Sequence, residues 1–346
     1  MTRRTPLILA GAAAAALLLA LLGLALGPVR VPLADTVRVL VGAAPGDPRW
    51  QVIVWNIRLP RVLTALAAGS ALGVAGLQVQ TLFRNTLADP YILGVSSGAS
   101  LGVAAVVLLG GAAGGGFATA AGGASRVAQV IAAALGAAAT LALVLLLSRW
   151  TRSASTLLLI GVMIGAASTA LVSVGLVYAD QQQVQQYLLW GLGSFAATSW
   201  TDLQLLVPLV AAGLVTAALT IRPLNALLLG ENYAASMGIN VYRARLVTVL
   251  SASLLAGVIT AFCGPVAFLG LVIPHLARIM VGTSDHRVVL PAAVLLGSVS
   301  ALACSILSQV PGSDLIIPLN AVTALLGAPV VITVLLRARR ATGLPA

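Results

Sequence analysis

The sequence predicts an all-α polytopic membrane protein of about ten transmembrane helices. Three observations carry this. The 346 residues are 60% hydrophobic and only 8% charged, against roughly a quarter charged in a soluble domain. Apolar stretches of about 20 residues recur from end to end, each long enough to cross a bilayer core as a helix. Period-2 alternation is absent, which argues against a membrane β-barrel.

The first apolar run, "PLILAGAAAAALLLALLGLALG", exceeds the roughly 7–15 residues of a signal-peptide core and predicts a retained first helix over 7–27. Further spans are expected at 61–82, 92–110, 127–148, 155–178, 202–221, 244–262, 266–281, 288–308 and 316–336. The whole chain, 1–346, reads as a single transmembrane domain. An even number of crossings puts both termini on one side. With that side cytoplasmic, Arg30, Arg38, Arg49, Arg58, Arg61 and Arg126 lie outside. The other thirteen of the nineteen basic residues, all Arg, lie inside, as the positive-inside rule requires. The net charge of +11 therefore records topology in a lipid bilayer rather than a nucleic-acid partner. Five of the six outer Arg crowd into residues 28–60 and the junction with the second span, against the rule. Cys263 and Cys304 fall in or beside apolar spans and read as buried, inert thiols.

The spans are rich in Gly, Ala and Ser, which let helix backbones approach closely in lipid. "GSALGVAG" (69–76) and "GVSSGASLG" (94–102) are such faces. Ser96, Ser97 and Ser100 are polar as well as small, and are the candidates for lining a pathway. Between these two segments stands "RNTLADP" (84–90), an abrupt polar break whose Asp89-Pro90 stops one helix and starts the next.

Three function classes compete: the membrane subunit of a primary transporter, an ion-coupled secondary transporter of a small hydrophobic or metal-bound solute, and an intramembrane enzyme. The eight acids all fall in loops or at span ends, whereas ion-coupled carriers keep ionisable groups inside their spans. No H-E-x-x-H stands in the chain and His275 and His286 are eleven apart, so catalytic and metal-ligating residues are expected to be none. The chain has no Lys, and a P-loop needs one. If ATP is the fuel, a separate subunit holds ATP and Mg, and this chain needs no cofactor of its own. That subunit must dock on a cytoplasmic surface. The loop "RPLNALLLGENYAASMGINVYRAR" (222–245) is large enough, reading as two short helices broken at Gly230 and Gly238. Glu231 suits the N-terminus of the second, and Leu224, Leu227, Leu228, Leu229 and Met237 give an apolar docking face.

These residues resemble the FecCD-like permease family, the membrane subunits of type II ABC importers for ferric siderophores, haem and cobalamin. "RLPR" (58–61), "GSALGVAGLQVQTLFRNTLADPYILGVSSGAS" (69–100), "LLLIG" (157–161), "LLLGENYAASMGINV" (227–241), "GPVAFLGLVIPHLARIMVGTSDHR" (264–287) and "TALLGAPVV" (323–331) follow the family's order over nearly the full length. The resemblance implies the type II importer permease fold and alternating access in a plasma (inner) membrane. It implies partner ABC ATPase subunits, a periplasmic or lipoprotein substrate-binding protein, and a second permease subunit. It places Asn85 and Leu87, with Ala154 and Ser155, at a cytoplasmic gate. It assigns ATPase coupling to Leu227, Gly230, Glu231, Ala235 and Gly238, and binding-protein docking to Arg58 and Arg61. The expected cargo order is ferric siderophore, then haem, then cobalamin.

The chain departs from the family's pattern in places. Asn85-Thr86 replaces an Asn-Pro. Cys304, Ser308, Ile316 and Asn320 stand at or near family Asp, Arg, Glu and Gly positions. The missing Arg would remove a third docking contact and points to a heterodimer of two related permeases. His275 is expected to be a packing residue between helices rather than a ligand.

Overall fold

Apolar runs fold as helices here because each backbone polar group must find its partner within the segment once water is excluded. The computed structural model describes residues 5–112, 123–148, 150, 154–310 and 315–342, the side chains of 109–112, 123–125, 148, 154–155 and 334–342 excepted. Among the described residues there are ten long helices and no strand. They are α1 (Thr5–Ala25), α2 (Leu59–Phe83), α3 (Val95–Ala112), α4 (Gly123–Ser148), α5 (Ala154–Val177), α6 (Trp200–Leu219), α7 (Val241–Cys263), α8 (Leu269–Val281), α9 (His286–Ser308) and α10 (Leu319–Thr342). Seven helical stretches, those of α1, α2, α4, α5, α6, α7 and α9, are long and apolar enough to cross a membrane, and α3, α8 and α10 hold shorter apolar segments. Each expected span falls on one of the ten.

The core is built around α2, α7 and α9, which are mostly buried, whereas α1, α4, α5 and α6 show most of their length to the outside. The close approaches foreseen for 69–76 and 94–102 are present. A Cβ at Gly69 would collide with the Gly297 carbonyl, and one at Gly76 with the Gly270 carbonyl. Gly98 and Gly136 meet backbone to backbone in the same way between α3 and α4. Such contacts replace side-chain interdigitation by direct backbone packing.

Two regions differ from the sequence reading. Residues 28–60 are not a plain loop. They hold short helices at Leu33–Leu40 and Pro48–Val52, then a π-helical turn, Ile53–Arg58, that runs straight into α2. The helical run from Pro48 to Phe83 is 36 residues long. Asp47 starts it by accepting from the Arg49 N–H at 2.8 Å, with Pro48 in the first turn where its missing N–H does no harm. Between α5 and α6 a further helix, Gln181–Gly191, forms despite its low hydropathy. The Asp180 N–H bonds the Gln183 side chain at 2.9 Å across its first turn.

Candidate functional site

The break "RNTLADP" is an ordered turn. Arg84 closes α2 in the left-handed conformation, φ 48, and the Asn85 N–H returns to the Gln80 carbonyl at 3.2 Å. This capping geometry usually takes Gly. Asn85 Oδ1 then accepts from the Leu87 N–H at 2.9 Å, and the Ala88 N–H bonds the Asn85 carbonyl at 3.0 Å. Asn85 thus folds the turn through its own side chain, with Thr86 rather than Pro following it. Asp89 accepts from the Tyr91 N–H at 2.8 Å and caps the single turn Pro90–Leu93. Gly94, φ 78, then turns the chain into α3. Asn85 is exposed and Leu87 is 40% exposed, so both project from the turn.

Two side chains hold this turn from outside it. His275 on α8 donates from Nε2 to the Thr86 carbonyl at 2.8 Å, which is the packing role expected of it. Arg84 donates from Nε and Nη2 to the Leu227 carbonyl, each at 3.3 Å, and so reaches the 222–245 loop.

That loop folds as expected, with helices Ile221–Leu229 and Glu231–Ser236. The breaks fall at Gly230 (φ 123) and Gly238 (φ 79). A Cβ at Gly230 would lie 2.6 Å from Arg84 Nη2, the movable end of a flexible side chain, so it is the backbone conformation that calls for Gly here. Glu231 pairs with Arg245 at 2.7 Å, closing the loop onto the start of α7. The apolar face differs from the expected one. Leu224 and Leu227 are buried, while Leu228, Leu229, Tyr233 and Met237 are exposed. Ala235 is exposed beside them. The helix Ile221–Leu229 turns its inner side to the body of the protein and leaves a narrower outer surface.

The same loop makes a second tie that sequence reasoning missed. Asn225 Nδ2 donates to Asp285 Oδ1 at 2.6 Å, and Asn225 Oδ1 accepts the His286 N–H at 2.9 Å and His286 Nδ1 at 2.7 Å. Across the imidazole, His286 Nε2 lies 2.9 Å from the Thr81 hydroxyl on α2. Asp285 also caps α9 by accepting the Arg287 N–H at 2.9 Å. The Arg287 N–H and the Asn225 amide hold its pKa below the ordinary aspartate value of 3.8.

Ser96, Ser97 and Ser100 are half-buried near the start of α3, with Ser97 facing Gly165 on α5. Gly161 of α5 packs on the Ile92 carbonyl of the turn, which brings the beginning of α5 beside it. Ala154 and Ser155 open α5, and their side chains lie outside the described residues.

Arg58 and Arg61, the pair that the resemblance assigns to binding-protein docking, are buried in this chain. Arg58 is only 5% exposed and Arg61 only 7%. Arg58 Nη1 donates to the Leu24 carbonyl at 2.6 Å and Nη2 to the Val29 carbonyl, so it satisfies the end of α1. Arg61 Nε donates to Ser305 Oγ at 2.9 Å and its Nη2 to the Ser305 carbonyl. Both side chains turn inward to carbonyls that would otherwise lack partners in an apolar setting. Arg49, by contrast, is 84% exposed and paired with Asp47 at 2.8 Å. The departures from the family pattern are absorbed nearby. Cys304 is buried, Ser308 Oγ donates to the Ile317 carbonyl at 2.8 Å, and Asn320 bonds Gly191, Pro265 and Ala267 at 2.9–3.1 Å.

Comparison with known proteins agrees with this architecture. The model of the FecCD transport family matches residues 15–337. The vitamin B12 import system permease protein BtuC of Escherichia coli O9:H4 (strain HS) is 37% identical over 303 residues, 86% of this chain and 88% of that protein. The BtuC of Salmonella typhi is 34% identical over the same shares. A solved structure described as an inward-facing conformation of a metal-chelate type ABC transporter superposes with a TM-score of 0.78. It is 30% identical and covers 96% of this chain and 99% of its own. The PsaBC complex from Streptococcus pneumoniae shares the fold at a TM-score of 0.54 and 16% identity, over 87% of this chain and 95% of its own.

Proposed function

The chain belongs to the FecCD transport family, and from that premise we propose that it imports a bulky metal chelate, a corrinoid or a ferric siderophore, through a pathway closed at its cytoplasmic end by the turn at 85–87. That it is the permease subunit of an ABC importer, with the ATPase on a separate chain, follows from the family. The ion-coupled alternative falls away with it. The cargo is the finer step. Relatives named for vitamin B12 import stand at 37% identity, and a metal-chelate type transporter shares the fold nearly end to end. These support a corrinoid as firmly as the siderophore first expected.

The observation that carries the mechanism is the double tie between the 222–245 loop and the turn region. Arg84 bonds Leu227, and Asn225 bonds the start of α9. ATP-driven closure of ATPase subunits docked on Leu229, Tyr233 and Met237 would move the loop, and the ties would carry that movement to Asn85 and Leu87. Ala154 and Ser155 complete the gate from α5 and Ser96, Ser97 and Ser100 line the pathway above it. Both termini face the cytoplasm, in keeping with the distribution of Arg. ATP and Mg bind the ATPase, a substrate-binding protein delivers cargo outside, and a second permease copy or relative completes the pathway. Uptake by proteoliposomes holding the assembled carrier tests this. Labelled cyanocobalamin or a labelled ferric hydroxamate should accumulate only with internal ATP and a loaded binding protein. Uptake driven by a proton gradient without ATP would refute it.

A further inference from the structure

We propose that His286 is a positioning residue, a buried strut that carries motion of the coupling loop to the end of α2 through Asn225 on one side and Thr81 on the other. This rests on the reading of 222–245 as the coupling loop and of 85–87 as the gate. His286 is 1% exposed. Asn225 Oδ1, already accepting the His286 backbone N–H, can only accept again at Nδ1. The proton of the neutral ring therefore sits on Nδ1, and Nε2 is left as an acceptor facing the Thr81 hydroxyl at 2.9 Å. Thr81 Oγ also lies 2.8 Å from the Leu77 carbonyl and can donate to either.

The three residues come from elements 61 and 205 positions apart in sequence and meet around one rigid ring. Each bond is directional, so displacement of Asn225 must turn or pull the imidazole. Thr81 lies four residues before Asn85 and its carbonyl accepts the Arg84 N–H at 3.3 Å. A shift there reaches the capping turn directly. Arg84 joins the same loop to the same turn by a solvent-facing route. The imidazole supplies the route that water cannot screen or loosen.

The test needs a readout independent of cargo. Leu87→Cys introduces a thiol at the exposed turn, whereas Cys263 and Cys304 are buried. In the carrier assembled with its ATPase subunits, the maleimide-labelling rate at position 87 is measured without nucleotide and with ATP plus vanadate. The parent Leu87→Cys carrier should change rate at least fivefold. Adding Thr81→Val or Asn225→Ala should cut the response below twofold while ATP hydrolysis stays within twofold of the parent. Thr81→Ser, which keeps the hydroxyl, should restore the response. A full response in Thr81→Val and Asn225→Ala would overturn the strut. So would loss of labelling response together with loss of hydrolysis, or failure of Thr81→Ser to restore it, since a merely structural bond gives those results. A parent carrier without any nucleotide response would instead refute the gate at 85–87, and the strut with it.

Discussion

Arg84, the residue that ends α2 in a left-handed conformation, donates from two nitrogens to the carbonyl oxygen of Leu227 at 3.3 Å. One side chain therefore stops a helix and fastens the turn beside it to the loop 222–245. Arg84→Gly preserves the backbone conformation, which Gly favours, and removes only the fastening. The variant should fold normally and lose about tenfold in uptake per ATP hydrolysed, as about 1.5 kcal/mol of charged hydrogen bonding predicts. Uptake per ATP equal to that of the parent would show the bond to be idle.

The backbone crossing of α2 and α9 predicts an intolerance that side-chain size alone does not. Gly69→Ala places a methyl group against the Gly297 carbonyl and should destabilise by about 3 kcal/mol or more. In α1, Gly11 has nothing within 4 Å of its would-be Cβ. Gly11→Ala should be neutral or slightly stabilising through helix propensity. Melting of the two variants in detergent separates the cases.

Buried and exposed Arg on the outer side should respond in opposite ways. Arg61→Glu sets a carboxylate against the Ser305 carbonyl and should destabilise by about 3–5 kcal/mol, visible as loss of folded protein before any partner is added. Arg49→Glu, at an 84% exposed position, should leave melting unchanged. A stable Arg61→Glu protein would mean that this guanidinium turns outward in solution.

Asp285 gives the anchoring of the loop a pH dependence. Its folded pKa is lowered, first by the Arg287 N–H and then by the Asn225 amide. The stabilisation is therefore present above the ordinary value of 3.8 and is lost as pH falls through the depressed one. Melting of the parent should drop on acidification below about pH 4, and Asp285→Asn should flatten that part of the profile while keeping a capping oxygen.

The outer surface of the loop should be a docking site of apolar character. Leu229 and Met237 are 64% and 61% exposed. Leu229→Glu with Met237→Glu should lower co-purification of the ATPase subunits at least about tenfold, the effect of losing two apolar anchors. Undiminished co-purification would place the contact elsewhere.

The helices and the capping turn are legible in the sequence because their causes are local. Hydropathy sets the spans, and Asn85, Asp89, Pro90, Gly230 and Gly238 each fix the backbone within two or three residues of themselves. The ties are not legible. Arg61 meets Ser305 across 244 positions and Thr81 meets His286 across 205, and no local pattern marks such pairs. The burial of Arg58 and Arg61 is not legible either, since the carbonyls they bond, those of Leu24, Val29 and Ser305, lie far off in the chain.

Antiparallel α2 and α9 are joined at three levels. Thr81 meets His286 at the inner end, Gly69 touches Gly297 midway, and Arg61 holds Ser305 at the outer end. Helical rise puts the inner joint about 18 Å and the outer joint about 12 Å from the crossing. Two members fixed at both ends and in the middle bend together as a single beam. A rigid tilt of that beam about its midpoint would displace the Arg61 end in the opposite direction to the Thr81 end, and by about two-thirds as much.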